Sequence, residues 1–388
     1  MKKVGLCVRY NCNNYGSMLQ ILATQKAIED CGVVYEHIRY NKKTVLFILK
    51  NLNRLFNPYF IQGKVLELKR KKGMATDSEV KNGNLLRLKK FEEYRKKYIG
   101  PYSPEYKGYS KLVKSTKNYS TIMVGSDQLW TPAGLQSKFY NLLFVPDNIK
   151  KIALATSFGI TEIPKNQVQL TKHYLERIEY LSVREKSGAE IVKNLTNRSA
   201  LVAVDPTLLY TGKEWLDIFP YTRQFEEKYI FAYFLGTDIA HRKIVEKFAE
   251  EKKLKIVTCP ALDEYVPYDS RFGDSREYAV GPIEFLNLIR GAEYVFTDSF
   301  HGTIFSILNH RNFLTFDRYS DEMRKGKNSR IESLFSLLDL KERHFNSKKS
   351  LDILEYQIDY DDVEKKLESI RNETWDFLRK ALNSGSNE

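Results

Sequence analysis

The sequence predicts an α/β protein of two domains, each built on a parallel β-sheet flanked by helices. At 388 residues, the chain is longer than one hydrophobic core usually serves. Short apolar runs that suit buried strands alternate with stretches of helical periodicity, once before about residue 205 and again from residue 229. Because 42% of the residues are hydrophobic and no long polar tract occurs, we expect a globular protein.

The first series begins with an apolar strand at residues 3–8 and a loop of small and polar residues. A helix follows, with apolar residues at Met18, Leu19, Leu22 and Ile28. Nucleotide-binding α/β units begin in this way, but the sequence lacks the G-x-G-x-x-G pattern of dinucleotide sites. After a second strand at 33–39, a basic segment at 42–98 interrupts the alternation. The later strands of this series are predicted at 121–124, 152–156, 180–184 and 201–204.

The second series starts with a strand at 229–234 and continues through alternating helices and strands to 313–316. Asp205 and Pro206 disfavour a helix and mark the exit from the first domain. Apolar residues at helical spacing across 363–382 predict a final amphipathic helix that packs on a domain surface. The predicted units are a first domain at 1–210, a second at 211–345 and a helical extension at 346–388.

Composition favours a cytoplasmic protein that needs neither a metal nor an organic cofactor. The apolar run at 45–49 is far too short to span a bilayer. The apolar stretch after the first lysines breaks at Arg9, so a signal peptide is not predicted. The four cysteines show no C-x-x-C or zinc spacing, and the six histidines show no H-E-x-x-H pattern.

The net charge of +13 is concentrated in one segment. Residues 42–98 hold 16 Lys or Arg and 5 Asp or Glu, so the rest of the chain is nearly neutral. One interpretation is that these charges are the solvated faces of helices. The other is that the segment docks on anionic lipid at the inner face of the membrane, because its apolar runs at 45–48 and 55–56 alternate with its basic residues. Nucleic acid is not predicted as a partner, since no stacked-aromatic platform or zinc-finger spacing accompanies the charge.

The strongest functional signal is a histidine at a predicted strand-to-helix turn. An apolar strand at 294–296 is followed by Ser299 and His301, where an apolar helix begins. Ligands of open α/β sheets bind at the carboxyl ends of strands, and a helix amino end offers unpaired N–H groups to an anion. We therefore predict that His301 acts on a phosphorylated substrate; a capping or packing role is the alternative for a lone histidine.

Cationic residues follow two further strands. Arg184 ends the strand at 180–183, and residues 324–330 form a basic cluster that includes Lys327 and Arg330. Arginine suits bidentate binding of a carboxylate or phosphate. These residues and the histidine together predict an anion site.

Another predicted strand end, after residues 121–124, carries the polar residues Asp127 and Gln128 and then Trp130. In one interpretation, Asp127 caps a helix. In the other, Asp127 and Gln128 bind sugar hydroxyls while Trp130 offers a flat apolar surface to the sugar ring.

Taken in order, these segments resemble the polysaccharide pyruvyl transferase family. The resemblance covers roughly residues 3 to 340, and the combination of motifs is more specific than any one of them. The motifs are Asn14-Tyr15-Gly16, residues 124–130, Ser182-Val183-Arg184-Glu185, Val204-Asp205-Pro206-Thr207 and Asp298-Ser299-Phe300-His301-Gly302.

The resemblance implies a GT-B-like fold of two Rossmann-type domains with the active site in the cleft between them. It also implies transfer of the pyruvyl group of phosphoenolpyruvate, as a ketal, onto a sugar of a surface polysaccharide or of its lipid-linked precursor. His301 matches the family's general acid, and Arg184 matches the arginine that holds the donor. The third family cation is a lysine in a tyrosine-aspartate-proline-lysine context that this chain lacks; Arg330 aligns there, with Lys327 as a nearby substitute.

The predicted site therefore has its donor side in the second domain, joined by Arg184 of the first, and its acceptor side in the first domain. The predicted phosphoenolpyruvate-binding residues are Arg184, Arg330, Lys327, Ser299 and Gly302. The predicted acceptor-binding residues are Asn14, Tyr15, Ser126, Asp127, Gln128 and Trp130. Two other functions fit the same pattern: a GT-B glycosyltransferase that uses a nucleotide sugar, and a non-catalytic scaffold of polysaccharide assembly that docks at the membrane through residues 42–98.

Overall fold

A computed structural model describes residues 3–42, 78–261, 266–318, 329–345 and 351–383 of the chain. These residues form two all-parallel β-sheets, one of seven strands and one of five, with eleven α-helices around them. The predicted α/β fold with two parallel sheets and a C-terminal helix is thus confirmed. No helix in the described ranges combines the length and the apolar character that a membrane crossing requires.

The first sheet has the strand order β3-β2-β1-β4-β5-β6-β7. Its strands are β1 (Lys3–Cys7), β2 (Tyr35–Asn41), β3 (Tyr102–Lys107), β4 (Tyr119–Val124), β5 (Lys150–Thr156), β6 (Tyr180–Val183) and β7 (Leu201–Val202). The accompanying helices are α1 (Tyr15–Asp30), α2 (Ser78–Tyr98), α3 (Tyr109–Ser115), α4 (Val168–Glu176) and α5 (Lys186–Thr196). The central strands are buried along almost their whole length, which is why they are nearly continuous apolar runs in the sequence.

Strand β3 was not predicted from the sequence. Its residues include Pro104 and the charged Glu105 and Lys107, which lower strand propensity. The strand lies at the edge of the sheet, where a proline and charged side chains are tolerated because one side of the strand needs no pairing.

The second sheet has the order β10-β9-β8-β11-β12. Its strands are β8 (Tyr229–Tyr233), β9 (Lys255–Thr258), β10 (Ser275–Arg276), β11 (Tyr294–Thr297) and β12 (Asn312–Thr315). The remaining helices are α6 (Gly212–Ile218), α7 (Ile239–Lys252), α8 (Pro282–Gly291), α9 (Phe300–Leu308), α10 (Ser329–Leu338) and α11 (Tyr360–Asn383).

The two sheets share a continuous apolar core. Helix α1 of the first domain packs on α8 and α9 of the second, and the ring of Tyr15 stacks on that of Phe285 with centres 4.7 Å apart and planes within 4°. Helix α11 returns to the first domain, where the Arg371 Nε donates to the Leu208 carbonyl at 2.7 Å and the Thr374 hydroxyl accepts from the Val204 N–H at 3.2 Å. The segment joining the domains is therefore fixed from both sides.

Helix α2, the described part of the predicted basic insertion, bridges the two domains. Its Arg87 is 1% exposed and donates to three main-chain carbonyls of the second domain: Pro260 at 2.6 Å, Glu277 at 3.0 Å, and Tyr278. Lysines on the opposite face, such as Lys89, are exposed and pair only with neighbouring glutamates. Residues 43–77, on which the membrane-docking prediction largely depends, lie outside the described residues.

Candidate active site between the two sheets

A cavity of about 350 Å³ lies between the carboxyl ends of the two sheets. The first domain contributes the loops after β1 and β4, and the second those after β8, β11 and β12. Each sheet reverses its strand order here, between β1 and β4 in the first and between β8 and β11 in the second. Connections leave such a point in opposite directions and open a crevice, which is where open α/β sheets bind ligands. The charged residues of the lining are Arg9, Asp127, Asp298, His301, Arg318 and Arg330.

His301 lies in the first turn of α9, as the strand-to-helix pattern predicted. Ser299 caps the helix by accepting from the Gly302 N–H at 3.2 Å, and the helix behind it is entirely buried. The side chain lines the cavity, while its Nε2 is buried without a hydrogen-bond partner among the described residues and lies 3.7 Å from Asp205 Oδ2. The positive end of the α9 dipole and its unpaired N–H groups therefore meet at the cavity.

Gly302, predicted as a donor-binding residue, instead allows α9 to approach β11. A Cβ atom at this position would lie 2.7 Å from the Thr297 hydroxyl oxygen, closer than real Cβ contacts come. The residue is buried and is not part of the cavity lining, unlike Ser299.

Arg184 follows β6 and is buried beside His301. Its Nη1 donates to Asp205 Oδ2 at 2.6 Å, whereas Nε and Nη2 have no hydrogen-bond partner among the described residues. Its guanidinium lies 4.6 Å from the ring centre of Phe300, a residue of the cavity lining. Arg184 follows a strand, as predicted, but it is not in the cavity lining and lies behind Phe300. Unsatisfied buried donors on a charged group are costly, which points to an anion as their missing partner.

Arg330, in the first turn of α10, lines the cavity, and its guanidinium lies 5.3 Å from the same Phe300 ring. The two predicted donor arginines thus contact one aromatic ring, an arrangement that arginine favours over lysine because its planar cation stacks on aromatic faces. Lys327, the proposed substitute, lies outside the described residues.

Asp127 does not cap a helix, so that interpretation of the turn after β4 was wrong. Its carboxylate accepts from the Ser17 hydroxyl of α1 at 2.9 Å and from the Gln128 N–H at 2.7 Å. The backbone has φ = 91°, a strained value for a residue with a side chain and one that recurs at functional sites. Burial alone would raise the pKa of Asp127. The charge of Arg184 and then that of His301 outweigh this effect, so the pKa is lowered overall and the carboxylate is held ionised.

The predicted acceptor residues divide into two groups. Asn14, Asp127 and Gln128 line the cavity, and Asn14 also caps α1 by accepting from the Ser17 N–H at 3.0 Å. A sugar hydroxyl in the cavity would therefore meet carboxylate and amide groups of the first domain.

The other three predicted acceptor residues do not line the cavity. Tyr15 is buried in the domain junction, where its hydroxyl donates to the Val280 carbonyl at 3.2 Å. Trp130 is 4% exposed and packs on Phe158 in the core of the first domain. Ser126 is buried too, 3.0 Å from Asp205 Oδ2. As placed, Trp130 offers no surface to a sugar ring, and Tyr15 and Ser126 support the site from behind.

Sequence reasoning missed Asp205, which was interpreted only as a boundary signal and a family motif. The residue is 1% exposed, and its Oδ1 accepts from the Thr207 N–H at 3.0 Å and the Thr207 hydroxyl at 2.7 Å. Burial alone would raise its pKa, but His301 first and then Arg184 hold that pKa far below its usual range. Asp205 follows β7, so the strand-end rule that found His301 could also have found it.

Arg9 and Arg318 were also missed, although they follow β1 and β12 and so obey the same rule. Arg9 makes no hydrogen bond or ion pair with another residue of the described ranges. Both add positive charge to the cavity lining, which therefore suits a substrate with more than one anionic group.

A second cavity, of about 510 Å³, lies at the opposite end of the second domain beside α6 and the carboxyl end of α9. Its arginines serve the fold, because Arg290 donates to the carbonyls of Trp215 and Phe219 and Arg311 to those of Asn309 and Ala292. Their charge is already engaged, so this cavity is a weaker candidate for an anion site.

Gly16 is predicted to be indispensable to the site. A Cβ atom on Gly16 would lie 2.2 Å from the His301 ring, so Gly16→Ala must displace either α1 or the histidine. We expect turnover to fall by about 10²-fold, the size of effect that a misplacement of about 1 Å produces. Steady-state kinetics would measure it, with Gly134→Ala as the control, since a Cβ there meets nothing closer than 3.5 Å. Undiminished turnover in Gly16→Ala would show that His301 does not need its present position.

The two facing parallel sheets, with a cleft at their switch points, define a GT-B-like α/β protein. The UDP-GlcNAc 2-epimerase of Neisseria meningitidis has this fold: it aligns with a TM-score of 0.53 at 9% identity, over 98% of this chain and 99% of its own. The UDP-GlcNAc 2-epimerase of Methanocaldococcus jannaschii aligns with a TM-score of 0.47 at 11% identity, over 95% of this chain and 92% of its own. At 9% identity, the likeness to the Neisseria enzyme shows the fold alone. No curated protein matches the chain significantly.

Residues 14–320 match the model of the polysaccharide pyruvyl transferase family, so the chain belongs to that family. The match spans most of the chain and includes lining residues from both domains, among them Asp127 and His301, although Arg9 and Arg330 lie outside it. The protein is accordingly a transferase of the polysaccharide pyruvyl transferase class.

Proposed function

We propose that the protein transfers the pyruvyl group of phosphoenolpyruvate to a pair of hydroxyls on a sugar, forming a ketal and releasing phosphate. The observation that carries the proposal is the placement of His301 in the first turn of α9, in a cavity whose lining is rich in arginine. The sugar belongs to a surface polysaccharide or to its lipid-linked precursor, and the reaction takes place in the cytoplasm. Contact with an anionic membrane through residues 42–98 is part of the same proposal.

The reaction needs one acid and a site for two anionic groups. A proton is added to the methylene carbon of phosphoenolpyruvate, and a sugar hydroxyl attacks the adjacent carbon, which carries the positive charge. The bond from this carbon to the phosphate oxygen then breaks, and a second hydroxyl attacks to close the ketal ring. The two hydroxyl protons balance the new methyl hydrogen and the proton on the released phosphate, so no redox partner or organic cofactor is required.

The described residues supply these functions as follows. Protonated His301 is the acid, and the amino end of α9 with Ser299 and Arg330 binds the donor's phosphate or carboxylate. Arg184 contributes from behind Phe300 through Nε and Nη2, the two nitrogens that have no hydrogen-bond partner among the described residues. On the facing wall, Asn14, Asp127 and Gln128 bind the acceptor, and ionised Asp127 can accept a hydroxyl proton. Lys327 stays a predicted donor contact.

Binding of phosphoenolpyruvate, measured by calorimetry, tests the proposal. We expect saturable binding to the wild-type protein and at least about 10-fold weaker binding to Arg330→Ala and to Arg184→Ala, since each removes a charge-assisted contact of about 1.5–3 kcal/mol. Arg223→Ala is the matched control, because its side chain is 57% exposed and pairs with Glu226 on the surface. Equal binding by all four proteins would contradict the assigned donor site.

The GT-B-like fold favours a second candidate, a glycosyltransferase that uses a nucleotide sugar, since a helix amino end in a cationic cleft also suits a diphosphate. The same calorimetry distinguishes the two. Binding of a nucleotide sugar without binding of phosphoenolpyruvate would favour the glycosyltransferase. Binding of neither would favour a scaffold.

A further inference from the structure

Asp205 lies at the meeting point of the two cations that the proposed reaction needs. Its Oδ2 accepts from Arg184 Nη1 at 2.6 Å and from the Ser126 hydroxyl at 3.0 Å, and it lies 3.7 Å from His301 Nε2. Its Oδ1 is held by the N–H and the hydroxyl of Thr207, at 3.0 Å and 2.7 Å. The carboxylate is fully buried, so its charge acts at short range and without screening by solvent.

The other charged groups around His301 do not duplicate this contact. Asp127 interacts with His301 electrostatically, but the described ion pair of the histidine is with Asp205; the two carboxylate oxygens of Asp127 accept from the Ser17 hydroxyl and the Gln128 N–H. On helix α1, the uncharged Gly16 lies against the imidazole ring.

The cavity lining also holds the cations Arg9 and Arg318, and Asp298, whose carboxylate accepts from the N–H groups of Leu235 and Gly236. The guanidiniums of Arg184 and Arg330 both contact Phe300, the residue before His301. These guanidiniums disfavour protonation of His301, because like charges repel. A protonated histidine here therefore needs a counter-ion, and Asp205 is the carboxylate aimed at its buried nitrogen.

We propose that Asp205 is a positioning residue for both cations: it fixes Arg184 toward the donor and serves as the counter-ion of protonated His301. The inference rests on the proposed function in taking His301 as the acid. On protonation, Nε2–H needs to move less than about 1 Å to reach hydrogen-bond distance from Oδ2. The proton for the substrate is then carried by the other ring nitrogen, Nδ1, which lies beside Gly16, as in histidines that a buried carboxylate orients.

The arrangement also explains why Arg184 donates through a single nitrogen. Asp205 engages Nη1 and leaves Nε and Nη2 without a hydrogen-bond partner in the described part of the chain, although Asp127 Oδ1 lies 4.0 Å from Nη2. A bidentate ion pair would have used the donors that an anionic substrate needs.

The first test is Asp205→Asn, which removes the charge and keeps the shape. We expect kcat to fall by about 10–100-fold. His301 is active when protonated, so kcat falls as pH rises through its titration. Without the counter-ion, that alkaline limb moves to lower pH by about one unit or more. The ring signals of His301, identified among the six histidines by comparison with His301→Ala, should titrate at correspondingly lower pH in NMR spectra of the free protein.

A second variant is expected to shift the His301 titration in the opposite direction. Arg184→Met removes a like charge and leaves the carboxylate to His301, so the ring should titrate at higher pH than in the wild type. If Asp205 and Arg184 had only a structural role, the two substitutions would not shift the His301 titration in opposite directions. Thr207→Val is the matched control, because it removes a hydrogen bond from Oδ1 but keeps the charge, and the titration should stay near its wild-type position.

Unchanged His301 titration in folded Asp205→Asn would overturn the inference, as would a shift of the same sign in Arg184→Met. If Asp205→Asn does not fold, Arg184→Met alone tests the inference. Absence of an upward shift in the pH at which His301 titrates in that variant would refute the counter-ion role. The NMR measurement needs no substrate. Failure of the protein to use phosphoenolpyruvate would refute the proposed function and leave the Asp205–His301 pair independently tested.

Discussion

Replacing His301 with glutamine is expected to lower turnover by about 10²–10⁴-fold, the usual contribution of a positioned general acid. Glutamine keeps a polar side chain of similar reach but cannot be protonated near neutral pH. Because the amino end of α9 and Arg330 remain in place, binding of phosphoenolpyruvate should weaken much less than turnover. Phosphate release in the presence of an acceptor, together with calorimetry of the donor, would measure both effects.

The same substitution at an exposed histidine controls for the change in composition. His173→Gln on α4 should keep wild-type turnover, because that side chain is exposed and lies outside the cavity lining. Turnover in His301→Gln within a few-fold of the wild type would remove this residue from the chemistry. Loss of donor binding as severe as the loss of turnover would instead make it a binding residue.

Replacing Arg87 with alanine should lower the free energy of unfolding by about 3–5 kcal/mol. The change leaves the carbonyls of Pro260, Glu277 and Tyr278 without their donor in a buried junction and opens a void there. The junction carries the continuous core of the two domains, so the loss should appear in the main unfolding transition. Urea unfolding followed by circular dichroism would measure it.

Lys89→Ala on the same helix is the control, since its side chain is 72% exposed and should change stability by less than about 0.5 kcal/mol. Equal stabilities of the two variants would show that α2 is only loosely attached. Activity is expected to fall with Arg87→Ala as well. Arg95 of α2 donates to the Cys12 carbonyl and to Asn13 Oδ1, both at 2.9 Å, and so anchors the cavity loop after β1.

This role of α2 changes the interpretation of the positive charge. The sequence identified residues 42–98 as a charged segment but could not separate its two kinds of cation. Arg87 is buried because three carbonyls of a distant part of the chain satisfy its donors, whereas Lys89 and Lys96 face solvent. Local composition is the same for both kinds, and only a long-range contact distinguishes them.

The sequence alone determined the α/β class, the two parallel sheets and the strand ends that carry the cavity, because hydrophobic periodicity is a local property. Arg184, Asp127 and His301 were found by one rule: a polar residue directly after a buried strand lies at the edge where ligands bind. The same rule, applied without exception, would have added Arg9, Asp205 and Arg318. The family motifs led to the transferase class, which the match over residues 14–320 shows.

Tertiary structure alone decided which of these residues face the cavity and which support it. Tyr15, Ser126 and Trp130 stand in polar or loop segments of the sequence, yet packing against the other domain or the first core buries them. The contact of Gly16 with His301, and the position of Asp205 between Arg184 and His301, depend on four separate segments of the chain. Spacing along the chain fixes neither distance nor direction between such segments, because those are set by how the two sheets pack.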